Sequence, residues 1–363
     1  MESPTNEKLQ ETPLYREHVA LGAKMAPFGG WLMPIQYAGI LAEHVHTRTR
    51  VSVFDICHMG EFMIEGDPVA CGLDRIVTQK IAALPVGACR YGFMLTEMGG
   101  VLDDLIVYRL DEKLWMLVVN AATIAGDEEN VRKHLKGEFA FENASARMGK
   151  LDVQGPLSRD VLKDIFGVKI AYLSYFSAAE FDLWGEKCII SCTGYTGELG
   201  YEIYISSKNV GKLWSLLLND TRVKPAGLGA RDTLRLEMAY PLYGQDLDTS
   251  RTPLQAGLER FVDFSKDFIG KPALLGEEQA GVKEHLVCFQ AESRRSPRHN
   301  SIILADGMRV GTVTSGSFSP TLSVGIGMGY VSRKLALGAK VMVKEAAAEI
   351  PAVIVRKPFY RKS

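Results

Sequence analysis

Two adjacent carboxylates, Asp103 and Asp104, are the residues of this sequence whose types and setting point first to chemistry. They interrupt an apolar stretch that follows Gly99-Gly100, a pair typical of a tight hairpin turn because glycine tolerates positive φ. Neighbouring strand residues face opposite sides, so one acid points inward, where it is costly unless a cation or hydrogen-bond donor meets it. Two interpretations stay open: an exposed acid beside one that bonds a turn amide, or a carboxylate held for a ligand.

A glycine-rich loop around Tyr195 is the second stretch of chemical interest. Residues 193–200 read Thr-Gly-Tyr-Thr-Gly-Glu-Leu-Gly, and the glycines let the backbone approach a flat ligand closely. Glu202 lies on the strand that resumes after this loop. Because glutamate is usually exposed, Glu202 taken alone is expected at the solvent face. Met59, at the exit of another strand, either fills the core or lines a pocket.

The sequence gives weaker evidence for an anion-binding or metal-binding site than for the acids. Arg231 and Arg235 are four residues apart on an expected helix and share one face, which is either a solvated stripe or an anion site; spacing alone favours the stripe. His44 and His46, two residues apart, do not share a helix face. The six cysteines are scattered and have no accompanying histidine pair. The sequence therefore predicts reduced thiols and no metal site.

These residues must be positioned by a mixture of strands and helices. Segments 90–95 and 101–110 are expected to be the arms of a hairpin, and 113–120 a third strand. Segment 27–34, with prolines and glycines among aromatic residues, is expected to be an irregular loop. The mixed order of strands and helices predicts an α+β fold rather than a doubly wound parallel sheet. From about Leu286, glycine and β-branched residues predict an all-β barrel or sandwich, with turns at 305–307 and at the glycines of 325–329.

Length and charge narrow the class of protein. A chain of 363 residues is long for one hydrophobic core and predicts two or three domains. Lys plus Arg (42) nearly balances Asp plus Glu (43), which gives no electrostatic footprint for nucleic acid or an anionic membrane. No apolar run approaches the roughly 18 residues of a membrane span, and the first twelve residues are too polar for a secretory signal. A cytoplasmic location is expected.

Ten short motifs occur in a fixed order along the chain, and each by itself is of modest specificity. They are Thr12-Pro13-Leu14-Tyr15, Phe28-Gly29-Gly30-Trp31-x-Met33-Pro34, Phe54-Asp55-x-x-His58-Met59-Gly60-Glu61, Gly99-Gly100-x-x-Asp103-Asp104-Leu105, Gln154-Gly155-Pro156, Gly194-Tyr195-Thr196-Gly197-Glu198-x-Gly200-x-Glu202, Ala226-Gly227-Leu228-Gly229-Ala230-Arg231-Asp232, Leu242-Tyr243-Gly244-Gln245-Asp246, Ser315-Gly316-x-Phe318-Ser319-Pro320-Thr321-Leu322 and Lys357-Pro358-Phe359-Tyr360-Arg361. As an ordered set they resemble the glycine cleavage T-protein (aminomethyltransferase) family along nearly the whole chain. Cys57, where the family has serine, and Asn300, where it often has glycine, depart from the pattern.

The resemblance implies an α+β fold of three domains around a central folate-binding hole. It implies a polar N-terminal tail over 1–12, a folate-binding body over 13–275 made of two interleaved α+β domains (one at roughly 55–145), and a C-terminal β-barrel over 286–363. The implied reaction moves the methylene of an aminomethyl group from the lipoyl arm of H-protein to tetrahydrofolate. The products are 5,10-methylenetetrahydrofolate, ammonia and dihydrolipoyl H-protein. Tetrahydrofolate is then a co-substrate, no metal takes part, and P-protein and L-protein are functional partners.

The resemblance also assigns site residues. Asp104 matches the acid that faces the reacting folate, and Glu202 matches the acid on the pterin edge. The remaining matches are Met59, Tyr91, Asn120 and Tyr195 in the pterin slot, and Arg231 and Arg361 at the folate site. A tetrahydrofolate-dependent demethylase of the same fold and a non-catalytic folate-binding relative are the alternatives. The demethylases usually keep the folate acids but differ around Tyr195 and the N-terminal loop, or are fused to an oxidase domain. The non-catalytic relatives tend to lose the Asp-Asp and Gly-Tyr-Thr-Gly-Glu features together, and both features are intact here. The location would be the cytoplasm of a bacterium, or the mitochondrial matrix if the source is eukaryotic, although no transit peptide is seen.

Overall fold

The computed structural model describes residues 9–345 and 348–362 and has the mixed α+β character expected from the sequence. Of the predicted polar tail, residues 1–8 lie outside the described residues, and Gln10–Glu11 form a short strand. The chain divides into two compact units. The first contains the chain up to Glu61, Asn143–Gly194 and Glu198–Arg231; the second contains Phe62–Glu142, Tyr195–Gly197 and the chain from Asp232.

Twenty strands and eight α-helices are present in the described residues. The strands are β1 (Gln10–Glu11), β2 (Lys24–Phe28), β3 (Trp31–Gln36), β4 (Val51–Asp55), β5 (Gly60–Glu65), β6 (Cys89–Leu95), β7 (Val101–Arg109), β8 (Leu114–Val119), β9 (Ala140–Asn143), β10 (Met148–Gln154), β11 (Ala178–Leu183), β12 (Glu186–Ser191), β13 (Gly200–Ser206), β14 (Val223–Pro225), β15 (His285–Ala291), β16 (Ile302–Ala305), β17 (Met308–Ser319), β18 (Val324–Val331), β19 (Lys340–Glu345) and β20 (Ala348–Val355). The helices are α1 (Tyr15–Ala20), α2 (Ile40–Thr49), α3 (Leu73–Ile76), α4 (Ile124–His134), α5 (Ser158–Phe166), α6 (Val210–Leu218), α7 (Leu228–Glu237) and α8 (Lys271–Ala280).

The first unit is built on a six-stranded sheet in the order β11-β12-β13-β10-β4-β14. Side chains alternate along each strand, so Leu151 and Val153 of β10 lie on one face while Lys150, Asp152 and Gln154 lie on the other. The apolar face packs into a core with the buried residues of α5 and α6. This arrangement leaves a row of polar side chains on the opposite face of the sheet.

A smaller sheet in the same unit, of order β1-β3-β2, corrects one expectation. Segment 27–34 is not an irregular loop, because β2 and β3 form an antiparallel hairpin. Gly29 and Gly30 both have positive φ (55° and 85°) and supply its two-residue turn. Pro27 lies on an edge strand, and β1 pairs with β3 only before Pro34, so neither proline is required to donate a ladder hydrogen bond.

The second unit contains a five-stranded sheet of order β6-β7-β8-β5-β9. As expected, β6 and β7 pair as an antiparallel hairpin and β8 follows as the third strand. Gly99, in the connecting turn, has a φ of 84°. A side chain at Gly100 would overlap the backbone carbonyl of Thr249, so only glycine fits there. The turn therefore depends on both glycines, for two different reasons.

The C-terminal strands of the second unit close into a six-stranded barrel of order β15-β18-β17-β16-β19-β20. The predicted all-β barrel is confirmed, and Ala305–Gly307 does connect two of its strands. Gly325, Gly327 and Gly329, however, lie within β18 rather than in a turn. A Cβ at Gly327 would lie 2.5 Å from the Phe289 ring, and one at Gly329 would lie 2.5 Å from the carbonyl oxygen of Thr312. These glycines allow close packing inside the barrel.

Candidate functional site

The second unit holds a cluster of acids near the start of β7. Asp103 is fully buried and Asp104 is half-buried. Asn120, just after β8, donates from its backbone N–H to Asp103 (2.9 Å) and from Nδ2 to Asp103 Oδ1 (2.8 Å) and Asp104 Oδ1 (2.9 Å). The Tyr91 hydroxyl on β6 donates to Asp104 Oδ2 at 2.9 Å. The structure thus brings together three of the residues predicted for the folate site, with neither acid bonded as the turn interpretation expected.

Burial dominates the protonation of this cluster. It raises the pKa of Asp104 to about 7, and the neighbouring charge of Asp103 adds to the rise while Tyr91 and Asn120 oppose it. Burial and then Asp127 raise the pKa of Asp103 well above its ordinary range. Asp127 itself, on α4, has a pKa raised to about 7, again mainly by burial. A carboxyl that titrates near neutral pH, such as Asp104, is able to hold or release a proton there.

Tyr195 is fixed by neighbours within the second unit. Its hydroxyl donates to the backbone carbonyl of Pro241, and its ring stacks on Tyr240 with centroids 5.8 Å apart and an interplanar angle of 22°. Gly197 has a φ of 77°, which the loop could not easily adopt with another residue. The glycine-rich loop therefore presents Tyr195 as a half-buried, oriented aromatic ring.

The first unit carries a second cluster, on the polar face of its six-stranded sheet. Glu202 on β13 lies opposite Asp152 on β10, and Lys150 lies two residues before Asp152 on the same face. The Lys150 ammonium is 3.4 Å from Glu202 Oε1, and Thr193 Oγ1 donates to Glu202 Oε2 at 2.7 Å. Arg231 on α7 forms an ion pair with Asp152, which also accepts a 2.5 Å hydrogen bond from the Gln154 amide. Two acids and two cations therefore compensate one another in this cluster.

The charges in this cluster differ in their protonation. Burial alone would raise the pKa of Glu202, but Lys150, Thr193 and Arg231 together hold it below its ordinary value. Burial raises the pKa of Asp152 to about 6 against the opposing effect of Arg231. Glu61 is 1% exposed; burial raises its pKa to about 8, although Lys150 opposes the rise. At neutral pH, Glu202 is an ionised acceptor and Glu61 is mostly protonated.

Two predictions about single residues are wrong. Glu202 does not lie at the solvent face; it is 4% exposed and is bonded to Lys150 and Thr193. Both partners lie outside the strand that carries Glu202, so the pattern of that strand does not predict them. Arg231 and Arg235 do not form a solvated stripe. The Arg235 guanidinium is 1% exposed and bonds Asp232, Asp246 and Ser315 at 2.8 Å each within the second unit.

The other predicted site residues are Met59 and Arg361. Met59 is half-buried in the first unit, with its sulfur 3.6 Å from the Lys150 ammonium, so it borders the cluster around Glu202. Arg361, near the end of the second unit, is exposed. Across residues 9–345 and 348–362, no three His, Cys, Asp or Glu side chains are grouped to hold a metal ion. All six cysteines lie within these residues and are buried free thiols.

Four residues of the two clusters were missed from the sequence: Lys150, Asp152, Thr193 and Asp127. The first two had a readable signal, since Lys-Leu-Asp-Val-Gln alternates polar and apolar residues through a strand. Thr193 is the first residue of the glycine-rich loop, and the loop sequence does not show that its hydroxyl donates to Glu202. Asp127 had no signal, because an acid near the start of a helix is ordinary.

Comparison with known proteins shows the family to which the chain belongs. The profile described as "GCVT N-terminal domain" matches residues 14–266, and "Glycine cleavage T-protein C-terminal barrel domain" matches residues 285–361. The chain belongs to the glycine cleavage T-protein family. It is 42% identical to an aminomethyltransferase of Pseudothermotoga lettingae over 98% of this chain and 99% of that one. It is 41% identical to one from Listeria monocytogenes serotype 4a, with 98% and 99% coverage.

A solved T-protein structure agrees with this assignment. The crystal structure of the glycine cleavage system aminomethyltransferase T from Bartonella henselae matches with a TM-score of 0.92 and 34% identity, over 97% of this chain and 98% of that one. The T-protein family and the α+β fold predicted from the ten motifs are therefore confirmed. No helix in the described parts of the chain is long and apolar enough to span a membrane.

Proposed function

We propose that this T-protein family member is an aminomethyltransferase that transfers the methylene of the aminomethyl group on the lipoyl arm of H-protein to tetrahydrofolate. The products are 5,10-methylenetetrahydrofolate, ammonia and dihydrolipoyl H-protein. The observation that carries this proposal is the likeness to proteins named aminomethyltransferase over 98% of the chain. P-protein and L-protein are its proposed functional partners, and the cytoplasm its proposed location. The domain limits given above, 13–275 and 286–363, also remain proposals.

Glu202 is proposed to recognise the pterin edge. That edge presents an amine and a ring N–H, two parallel donors that one ionised carboxylate can accept. Lys150 keeps Glu202 ionised, and Thr193 and Tyr204 donate hydrogen bonds to its Oε2 at 2.7 and 3.3 Å. The chemistry of this cluster fits folate binding.

Asp104 is proposed to be the catalytic carboxylate. Its hydrogen bonds from Tyr91 and Asn120 fix both oxygens, so its position is set before a ligand arrives. A pKa of about 7 allows it to be ionised in much of the population at neutral pH. In that state it can orient the nitrogen of the folate that captures the methylene and stabilise cationic character there. Tyr91 and Asn120 thus act by holding Asp104.

The remaining assignments follow the surroundings of each side chain. Tyr195 offers an oriented ring for a flat pterin, and Met59 a half-buried apolar contact. Arg231 keeps 13% of its side chain exposed while it bonds Asp152, and Arg361 is exposed; guanidinium groups such as these suit the carboxylates of the folate tail.

The deciding experiment measures ammonia release from aminomethylated H-protein with and without tetrahydrofolate. Folate-dependent release by the parent protein, lost in Asp104→Asn, supports the proposal. Folate binding without release would favour a non-catalytic folate-binding protein. Folate-dependent demethylation of an N-, S- or O-methyl compound in place of release would favour a demethylase. Absence of tetrahydrofolate binding at millimolar concentration in calorimetry would refute all three.

A further inference from the structure

Arg235, on α7, is a buried cation to which the proposed reaction gives no role. Its guanidinium forms ion pairs with Asp232 and Asp246, and Ser315 accepts a further bond from it at 2.8 Å. Another bond, from Nη1 at 3.0 Å, goes to the backbone carbonyl of Tyr240. The planar guanidinium can serve several fixed acceptors at once, which a compact ammonium group on a flexible stem does less well. Arg235 therefore joins its own helix to the segment that follows it.

The chain leaves α7 through a Schellman motif that holds Tyr240. The N–H of Tyr240 donates to the carbonyl of Arg235 at 3.0 Å, and the N–H of Ala239 donates to the carbonyl of Leu236 at 2.8 Å. Ala239 has a φ of 55°, which is uncommon for alanine and is the conformation that this motif requires. Arg235 thus accepts from the N–H of Tyr240 through its backbone and donates to the C=O of Tyr240 through its side chain. One residue fixes both peptide groups of Tyr240.

Tyr240 and Pro241, in the segment after α7, support Tyr195. The Tyr195 ring stacks on the Tyr240 ring with centroids 5.8 Å apart, and the Tyr195 hydroxyl donates to the Pro241 carbonyl. The backbone N–H that follows Pro241 donates to Asp246 Oδ2 at 2.9 Å. The same oxygen accepts from Arg235 at 2.8 Å. The ion pair of Arg235 and Asp246 therefore fixes the backbone on both sides of the two groups that contact Tyr195.

We propose that Arg235 is a positioning residue for Tyr195: through Tyr240 and Pro241 it sets the orientation of the ring that meets the pterin. The inference rests on the proposed function, in which Tyr195 offers that ring to tetrahydrofolate. The Arg235 side chain is 1% exposed, so its effect on folate passes through the tyrosines. A ring that is oriented before the ligand arrives loses less conformational freedom on binding. Loss of the Arg235 bonds should therefore weaken folate binding.

Arg235→Lys tests the inference, because an ammonium group keeps the charge beside Asp246 but does not reproduce the guanidinium bonds. We expect the Kd for tetrahydrofolate, measured by calorimetry, to rise roughly two- to tenfold, about what one aromatic contact contributes. Made in a Tyr195→Ala background, the same substitution should leave Kd unchanged, since the ring through which Arg235 acts is absent. Thr314→Val is the control: it removes a hydroxyl that bonds the other oxygen of Asp246, and it should lower the melting temperature without changing Kd.

Fluorine NMR of the protein labelled with fluorotyrosine reports on Tyr195 without folate. The chain has 13 tyrosines, and the Tyr195 resonance is the one that Tyr195→Phe removes. We expect this resonance to shift in Arg235→Lys and to stay in place in Thr314→Val. If Arg235→Lys does not fold, Asp246→Asn removes the charge that fixes the guanidinium but keeps the size of the side chain. It should then shift the Tyr195 resonance and raise Kd in the same direction.

The possible results separate the interpretations. A lowered melting temperature with the parent Kd and an unmoved Tyr195 resonance would overturn the inference and leave Arg235 a structural residue. An equal rise of Kd in the Tyr195→Ala background would also overturn it, since Arg235 would then act by another route. Absence of tetrahydrofolate binding by the parent protein would refute the proposed function instead. The Tyr195 resonance would still decide in that case whether Arg235 positions the ring.

Discussion

Replacing Glu202 with glutamine should weaken tetrahydrofolate binding far more than it lowers turnover at saturating folate. Glutamine keeps one acceptor but presents an amide donor to the second donor of the pterin edge. Such a mismatch of a buried pair costs about 1–3 kcal/mol, which corresponds to roughly 5- to 150-fold in Kd. Titration calorimetry gives the affinity, and ammonia release at saturating folate gives the turnover.

The same substitution also perturbs the fold, and the size of that effect follows from the surroundings of Glu202. Lys150 is 1% exposed, so it would lose a buried partner, a change that costs about 3–5 kcal/mol when nothing replaces the charge. Glu61 is placed to replace part of it. Its pKa of about 8 is raised in part by the charge of Glu202, so removal of that charge allows Glu61 to ionise beside Lys150. We therefore expect a stability loss at the lower end of this range.

Glu198→Gln is the matched control. Glu198 lies in the glycine-rich loop that precedes the strand of Glu202, and its buried carboxylate forms an ion pair with Arg48 at 3.1 Å. This variant breaks a comparable buried ion pair that includes neither Glu202 nor Lys150. It should lose stability but keep the parent Kd for folate. Glu202→Gln with normal affinity and collapsed turnover would refute the reasoning and place Glu202 in the chemistry.

Three further predictions concern stability and catalysis. Asp104→Asn should lower saturated turnover by about a hundred- to a thousandfold in single-turnover assays, whereas Asp103→Asn, which puts an amide where two N–H groups donate, should first lower the melting temperature; similar, stability-only effects of both would count against Asp104. Glu61→Gln should gain stability relative to the parent as pH rises from about 4.5 towards 8, because the folded parent holds a proton that its unfolded chain releases; denaturant titrations at both pH values check this, and a constant difference would contradict it. Gly100→Ala should lose about 1–3 kcal/mol by overlap with a neighbouring carbonyl, while Gly126→Ala, open to solvent on α4, should gain up to about 1 kcal/mol; equal melting temperatures would show that the turn can adjust.

Local patterns predicted the hairpin that carries Asp103 and Asp104. Its signals, a glycine pair in the turn and two flanking strand-like segments, all lie within about twenty consecutive residues. They failed at segment 27–34, where two prolines and two glycines suggested irregularity. There the glycines form the turn, and the prolines occupy positions where the sheet does not require a backbone N–H donor. The barrel was predicted from composition, yet the glycines of β18 were misplaced because their need, close packing against Phe289 and Thr312, is a tertiary one.

The surroundings of single acids were harder to predict. Glu202 looked exposed because its own strand shows only alternation; the cation that stabilises it comes from β10, fifty-two residues earlier in the numbering. Arg235 looked solvated because helical spacing does not show Asp246 or Ser315, which come from segments that fold beside it. The ordered motifs predicted Asp104 and Glu202 as site residues but not Lys150, whose charge opposes the effect of burial and holds the pKa of Glu202 below its ordinary value.

The two clusters differ in a way that separates their proposed roles. In the first unit, Lys150 and Arg231 balance Glu202 and Asp152, so Glu202 stays ionised and accepts hydrogen bonds at any pH near neutral. In the second unit, burial and then the charge of Asp103 raise the pKa of Asp104 to about 7, although the neutral donors Tyr91 and Asn120 oppose the rise. An acid with a fixed charge suits recognition, and one that titrates at the working pH suits catalysis. Since both environments are assembled from strands distant in sequence, the division of roles is a property of the fold rather than of either motif.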